Sequence, residues 1–208
     1  MMDTLVIASK NIGKIEEIRD MLSDLPLKIH SLNNFPNAPD IEESGRTFLE
    51  NALIKARTIT EFTGMPVLAD DSGLEVDHLA GGPGIFSSRY AGADATDEEN
   101  NKKLLMALQN VPAEQRGASF RCVLVLYRPH GEYQAFEGSW RGRIGDEYRG
   151  GHGFGYDPLF YLPEIGKTVA EITPAEKNKL SHRSQAVNEL KKYLQSNYFH
   201  EKLIADGA

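Results

Sequence analysis

Short apolar runs alternate with amphipathic stretches along almost the whole chain, and that rhythm admits few architectures. Thr4–Ala8 reads as a buried strand, and Lys14–Leu22 as a helix with Ile15, Ile18 and Leu22 on one face. Leu27–Leu32 is a second strand. Thr47 opens a second helix through a Thr47-x-x-Glu50 capping box, and the helix runs to Thr63, before Gly64. Pro66–Asp70 is then a short buried strand that ends in acid. Thr96 or Asp97 caps a third helix reaching Asn110. Ser119–Arg128 and Tyr133–Ile144 are strands joined by Pro129-His130-Gly131, a hairpin. Leu159–Leu162 is a weaker strand, and Ser184–Tyr198 is the closing helix. Strand–helix alternation with one antiparallel hairpin predicts an α/β fold with a mixed sheet. No repeat, low-complexity tract or flexible linker divides the chain, so its 208 residues predict a single domain.

Composition removes several functions. With 23 basic and 30 acidic residues the net charge is −7, which argues against a protein that coats nucleic acid through bulk electrostatics. The longest apolar run, Cys122–Tyr127, has six residues, far short of a membrane helix. Cys122 is the lone cysteine, which favours a reducing compartment. The N-terminus shows no basic segment before its apolar run, so a cytoplasmic protein is expected. The charge is uneven. Residues 1–166 carry 16 basic and 25 acidic side chains, net −9, and residues 167–208 carry 7 and 5, net +2. A solvated closing helix explains this, and so does a cationic segment beside a small anion.

Six groups of residues could carry chemistry. Ser9-Lys10-Asn11-Ile12-Gly13-Lys14 lies where a strand ends and a helix begins, which brings unpaired N–H groups, a positive helix end and a lysine together. It is not a P-loop, and a capped turn with a surface lysine is the plainer alternative. Lys55 falls on the buried stripe of its helix, between Phe48 and Phe62, where a lysine either snorkels or meets an anion. Asp70-Asp71-Ser72-Gly73 follows a strand directly, at the edge where α/β sheets gather ligands; a cation site and an ordinary turn both fit it. Glu42-Glu43 offers further carboxylate, and such oxygens suit Mg²⁺. Last come Gly150 to Pro158, where Phe154 or Tyr156 could stack on a base, and Lys177 with Ser181-His182-Arg183, whose arginine fork matches phosphate oxygens or a 6-oxopurine edge. The six histidines lack close metal-type spacing, and neither G-x-S-x-G nor a Rossmann glycine pattern after a strand is present.

Taken together these blocks resemble the inosine triphosphate pyrophosphatase (Ham1-type) family, hydrolases of non-standard purine nucleoside triphosphates. The resemblance rests on Ser9-x-Asn11-x-x-Lys14-x-x-Glu17, Glu43-x-Gly45-x-Thr47-Phe48-x-Glu50-Asn51-Ala52-x-x-Lys55-Ala56 and Ala69-Asp70-Asp71-Ser72-Gly73-Leu74. It continues through Pro83-Gly84, Ser88-Arg89-Tyr90-Ala91-Gly92, Gly153-Phe154-Gly155-Tyr156-Asp157-Pro158 and Ser181-His182-Arg183, in family order over nearly the whole chain. It departs at Ser9-Lys10, where the family often has Thr-Gly, and at Ser184, where many members have glycine. The related pyrimidine-acting Maf-type enzymes open on a Ser-Pro-Arg-Arg element that is absent here.

The resemblance implies a long, curved mixed sheet with flanking helices and two lobes around an active-site cleft. It implies hydrolysis of ITP, dITP and XTP to the monophosphate and pyrophosphate, and a homodimer. By the same token Ser9, Lys10, Asn11, Ile12, Gly13 and Lys14 hold the triphosphate, and Ser72, Lys55 and Lys177 touch phosphates. Glu43 and Asp71 bind Mg²⁺, with Asp71 accepting the proton of the attacking water. Phe154, Gly155, Tyr156, Asp157, His182 and Arg183 form the base pocket. Two other functions compete. An aspartyl-phosphate phosphatase wants Asp-x-Asp, which Asp70-Asp71-Ser72 lacks, and an idle nucleotide-binding module has no need of Glu43 with Asp71.

Overall fold

A computed structural model describes residues 3–206, with side chains from 3 to 196. Its strands are β1 (Thr4–Ile7), β2 (Lys28–Ser31), β3 (Val67–Val76), β4 (Gly117–Tyr127), β5 (Tyr133–Ile144), β6 (Phe160–Leu162) and β7 (Lys167–Thr168). Its α-helices are α1 (Ile12–Met21), α2 (Phe48–Thr63), α3 (Asp97–Ala107), α4 (Pro174–Leu180) and α5 (His182–Asp206). The strands form one mixed, open sheet of seven in the order β2-β1-β3-β4-β5-β6-β7. β1 pairs in parallel with β2 and β3, whereas β6 is antiparallel to β5 and β7. The predicted mixed α/β sheet is therefore present. Among the described residues no helix is long and apolar enough to cross a membrane.

The chain divides into two compact units. The first comprises the chain up to Asp70, Val123–Glu137 and the chain from Arg183; the second comprises Asp71–Cys122 and Gly138–His182. In the first, apolar residues of β1 (Leu5, Val6, Ile7), α1 (Ile15, Ile18) and α2 (Ala52, Ala56, Ile59) are fully or almost fully buried. Each buried Leu, Val or Ile side chain contributes about 1.5–3 kcal/mol of transfer free energy. The second has its own cluster around Leu74, Leu104, Leu108 and Phe160, with Phe120 stacked on Phe160 at 4.3 Å between ring centroids.

Four local expectations change. β3 does not stop at Asp70 but runs ten residues, to Val76, so Asp70-Asp71-Ser72-Gly73 is strand and not turn. The reason is that the Asp70 charge is met inside the protein, as described below, and so need not leave the sheet. α1 begins at Ile12 rather than Lys14, because the Asn11 carboxamide caps it by accepting from the Lys14 N–H at 3.0 Å. α5 begins at His182 rather than Ser184, which places both His182 and Arg183 in its first turn. The capping box of α2 is half formed: Thr47 Oγ1 accepts from the Glu50 N–H, while the Glu50 carboxylate accepts from Arg46 N–H.

Candidate active site

In the first unit, the end of β1 delivers the chain into the N-terminus of α1. The Ser9 hydroxyl accepts from the Asn11 N–H at 3.1 Å, and Asn11 in turn caps Lys14, so Ser9 to Lys14 is a preorganised turn. The first turn of α1 holds no acidic side chain. Its leading N–H groups and positive helix end therefore suit an anion. Lys10 extends to Asp40 at 3.1 Å on the surface, and Ile12 is exposed.

Lys14 does not reach outward alone. Its Nζ lies 2.5 Å from Asp70 Oδ1, and Arg183 donates from Nε to Asp70 Oδ2 at 2.8 Å and from Nη1 to Glu17 at 2.5 Å. Arg183 is 1% exposed and Asp70 2%. Burial alone would raise the Asp70 carboxyl; the charges of Arg183 and Lys14, and hydrogen bonds from both, outweigh it and hold the group well below the usual carboxylate range. The arginine fork offered by the sequence to a purine edge is thus directed at Asp70 and Glu17.

Lys55 is buried on α2, and its Nζ meets Glu43 Oε1 at 3.0 Å. Of the two fates open to a lysine on an apolar stripe, this one meets an anion. The pairing orients a half-buried carboxylate just before α2.

The second unit presents different chemistry. Asp71, the next residue along β3, is buried, and Ser72 is partly exposed. In the loop Gly153–Asp157 the Asp157 carboxylate accepts from the Phe154 N–H at 3.0 Å and from Lys177 Nζ at 2.5 Å. Gly153 has φ +78°, and a Cβ there would collide with the Asp157 carboxylate, so glycine is required for the loop to close on that acid. Lys177 Nζ also sits 4.6 Å from the centroid of Phe154, over its ring. Phe154 is partly exposed while Tyr156 is buried and donates to the Ser87 carbonyl at 2.7 Å. Burial, reinforced by Tyr90 and Asp97, pushes the Tyr156 phenol up, so it remains a donor. His182 is buried with its ring stacked on Phe120 at 4.9 Å.

The structure thus groups Lys14 with Asp70, Arg183 and Glu17, Lys55 with Glu43, and Lys177 with Asp157 and Phe154. Sequence reasoning offered Asp97 only as a cap of α3, a place that Thr96 takes, and gave no role to Asn100 or Asn101. Asn100 accepts from Ala91 N–H at 2.8 Å and donates to the Ser88 carbonyl at 3.1 Å; Asn101 donates to the Gly155 carbonyl at 2.8 Å. A signal existed: adjacent asparagines are weak helix formers, so their use within a helix marks side chains occupied elsewhere.

Among the described residues no cluster of three or more His, Cys, Asp or Glu side chains is gathered for a metal. Glu43 and Asp71 are two hard oxygen donors, the kind of protein contribution that Mg²⁺ takes when phosphate oxygens and water complete its shell. Their chemistry fits that ion.

Comparison with known proteins agrees with the blocks read from the sequence. The chain is 50% identical over 193 residues to a dITP/XTP pyrophosphatase of Geobacter sulfurreducens, covering 93% of this chain and 97% of that protein. It is 51% identical over 189 residues to one of Yersinia pestis, covering 89% and 95%. The solved structure of a HAM1 protein from Coxiella burnetii matches with a TM-score of 0.85 and 46% identity, covering 94% of this chain and all of that one. Residues 5–193 match the Ham1 family model. A shared fold, half-identity along nine-tenths of the chain and the family's own profile converge, and the chain belongs to the Ham1 family.

Proposed function

We propose that this protein hydrolyses non-standard purine nucleoside triphosphates, namely ITP, dITP and XTP, to the nucleoside monophosphate and pyrophosphate, and so keeps hypoxanthine and xanthine nucleotides out of DNA and RNA. The observation that carries this reading is the half-identity to relatives named dITP/XTP pyrophosphatase over almost their full length. The chemistry of each unit supports it. A nucleoside triphosphate has a polyanionic end, which suits the acid-free first turn of α1 with Ser9 to Lys14. It also has a flat base, which suits the partly exposed Phe154 ring beside a peptide loop held by Asp157.

In this reading Glu43 and Asp71 hold Mg²⁺, and the ion supplies neutralisation of phosphate charge when bound. Lys55 keeps the Glu43 carboxylate oriented. Lys14, with Lys55 and Ser72, meets phosphate oxygens. Asp71 accepts the proton of the attacking water: the water oxygen bonds to phosphorus, the α–β phosphoanhydride P–O bond breaks, and pyrophosphate departs with the electron pair. Phe154 to Asp157, with His182, frame the base, and Lys177, paired with Asp157 over the Phe154 ring, is assigned to the base rather than to a phosphate. Arg183 serves through Asp70, holding the acid that holds Lys14. Exclusion of adenine and guanine follows from polar mismatch at the purine edge. A homodimer in the cytoplasm belongs to the same reading and is supported by the family resemblance.

The decisive experiment is a panel of ITP, dITP, XTP, GTP and ATP assayed for pyrophosphate with and without Mg²⁺. Pyrophosphate from the first three, Mg²⁺-dependent and far faster than from GTP and ATP, is expected. Orthophosphate as the first product would sink the proposal.

A further inference from the structure

In α3, Asp97 and Asn101 are four residues apart and therefore share a helix face. Both reach the same residue of the glycine loop. Asp97 Oδ2 accepts from the Gly155 N–H at 2.6 Å, and Asn101 Nδ2 donates to the Gly155 carbonyl at 2.8 Å. The donor and the acceptor of one backbone residue are thus both tied to one rigid element. Gly155 has φ +60°, a left-handed conformation that an L side chain rarely adopts, so the loop turns sharply at the held point. Phe154 and Tyr156, on either side, point to different environments: Tyr156 is buried against Ser87, and Phe154 is partly exposed under Lys177. Asn101 is 2% exposed, and its Oδ1 has no partner among the described residues, so its position is set by the bond it makes to Gly155.

We propose that Asp97 and Asn101 are positioning residues for base selectivity: by holding the Gly155 peptide from both sides they fix the Phe154 ring and the loop against which a purine is read. The assignment rests on the function proposed above. Discrimination between purines that differ by one amino or oxo group depends on polar groups that cannot shift to accommodate the wrong partner. A loop released from α3 can shift. The phosphate-end residues lie on other elements, so loosening this loop raises KM and relaxes selectivity while leaving kcat nearly intact.

The test is Asp97→Ala, at an exposed side chain, compared with Asp97→Asn, whose Oδ1 can still accept from Gly155 N–H, and with Glu98→Ala as a control for lost charge in the same helical turn. Asp97→Ala is expected to raise KM for ITP about tenfold and to lower the ITP-over-GTP ratio of kcat/KM about tenfold, the worth of one lost hydrogen bond. kcat is expected to stay within about twofold. Asp97→Asn restores KM and ratio, and Glu98→Ala leaves both unmoved. Asn101→Leu, similar in size, gives the same signature from the carbonyl side. Amide exchange at Gly155 reports the clamp directly and is faster in Asp97→Ala. Faster exchange with an unmoved purine ratio would leave only a structural tie and overturn the selectivity assignment. If the unmodified protein releases no pyrophosphate from any purine triphosphate, the functional reading fails and takes this assignment with it; turnover with an unmoved ratio defeats this assignment alone.

Discussion

Asp70 in the first unit and Asp157 in the second are both buried, and they are used differently. Asp70 in the first unit takes two cations, Lys14 at 2.5 Å and Arg183 at 2.8 Å. Asp157 in the second meets Lys177 and the backbone amide of Phe154. The first arrangement disposes charge beside a helix N-terminus and matches the demands of a polyphosphate. The second disposes a peptide loop and matches the demands of a base. A buried carboxylate held by full charges fixes the positions of those charges, whereas one shared with a backbone N–H shapes the chain that carries it.

The sharpest way to break that comparison uses the two consecutive acids of β3. Asp71→Asn is expected to lower kcat about 10²–10⁴-fold, the usual weight of a positioned base, with the thermal midpoint little changed. Asp70→Asn is expected to destabilise the fold by about 3–5 kcal/mol, as removal of one member of a buried ion pair does, read from urea unfolding. An Asp70→Asn protein as stable as its parent would show that the network around Arg183 contributes nothing net. Asp157→Asn removes the charge that meets Lys177, where Asp70→Asn removes the charge that meets both Lys14 and Arg183, so its stability loss should be the smaller, about 3 kcal/mol, with a larger proportional rise in KM than fall in kcat. Equal losses at Asp70 and Asp157 would erase the distinction.

Acid titration separates the two further. Because the Asp70 carboxyl sits well below its ordinary value of 3.8 when folded, its contribution is fully present above that value and is lost as pH falls through the folded one. Stability should therefore decline below about pH 4, and Asp70→Asn should flatten that decline. The smallest effect is expected on the surface of the second unit, where Arg141 forks onto Asp77 with both side chains more than half exposed. Arg141→Ala should cost under about 1 kcal/mol and less in high salt.

Much of this was legible in the sequence. The Thr47 cap, the hairpin between β4 and β5 and the mixed sheet all follow from local pattern, because caps, turns and periodicity are properties of a few neighbouring residues. The blocks from Ser9 to Arg183 were legible as a family set. What was misjudged shares one cause. Asp70 looked like the end of a strand because an acid in a central strand is normally excluded; here Lys14 and Arg183, 56 and 113 residues away in sequence, make it tolerable. Nothing local announces Glu17 and Asp70 as the partners of Arg183, for the same reason.

The sequence by itself determined most of the helices and strands, though not β7, α4 or the run of β3 beyond Asp70, and that they form an α/β fold with a mixed sheet. Only tertiary structure decided the partner of each charge: Lys55 with Glu43, Lys14 and Arg183 with Asp70, Lys177 with Asp157, and the Gly155 peptide with Asp97 and Asn101. The physical reason is range. Propensity and capping act within about one helical turn, whereas the free energy of a buried charge is settled by whichever groups folding brings within a few ångströms, however distant they are along the chain.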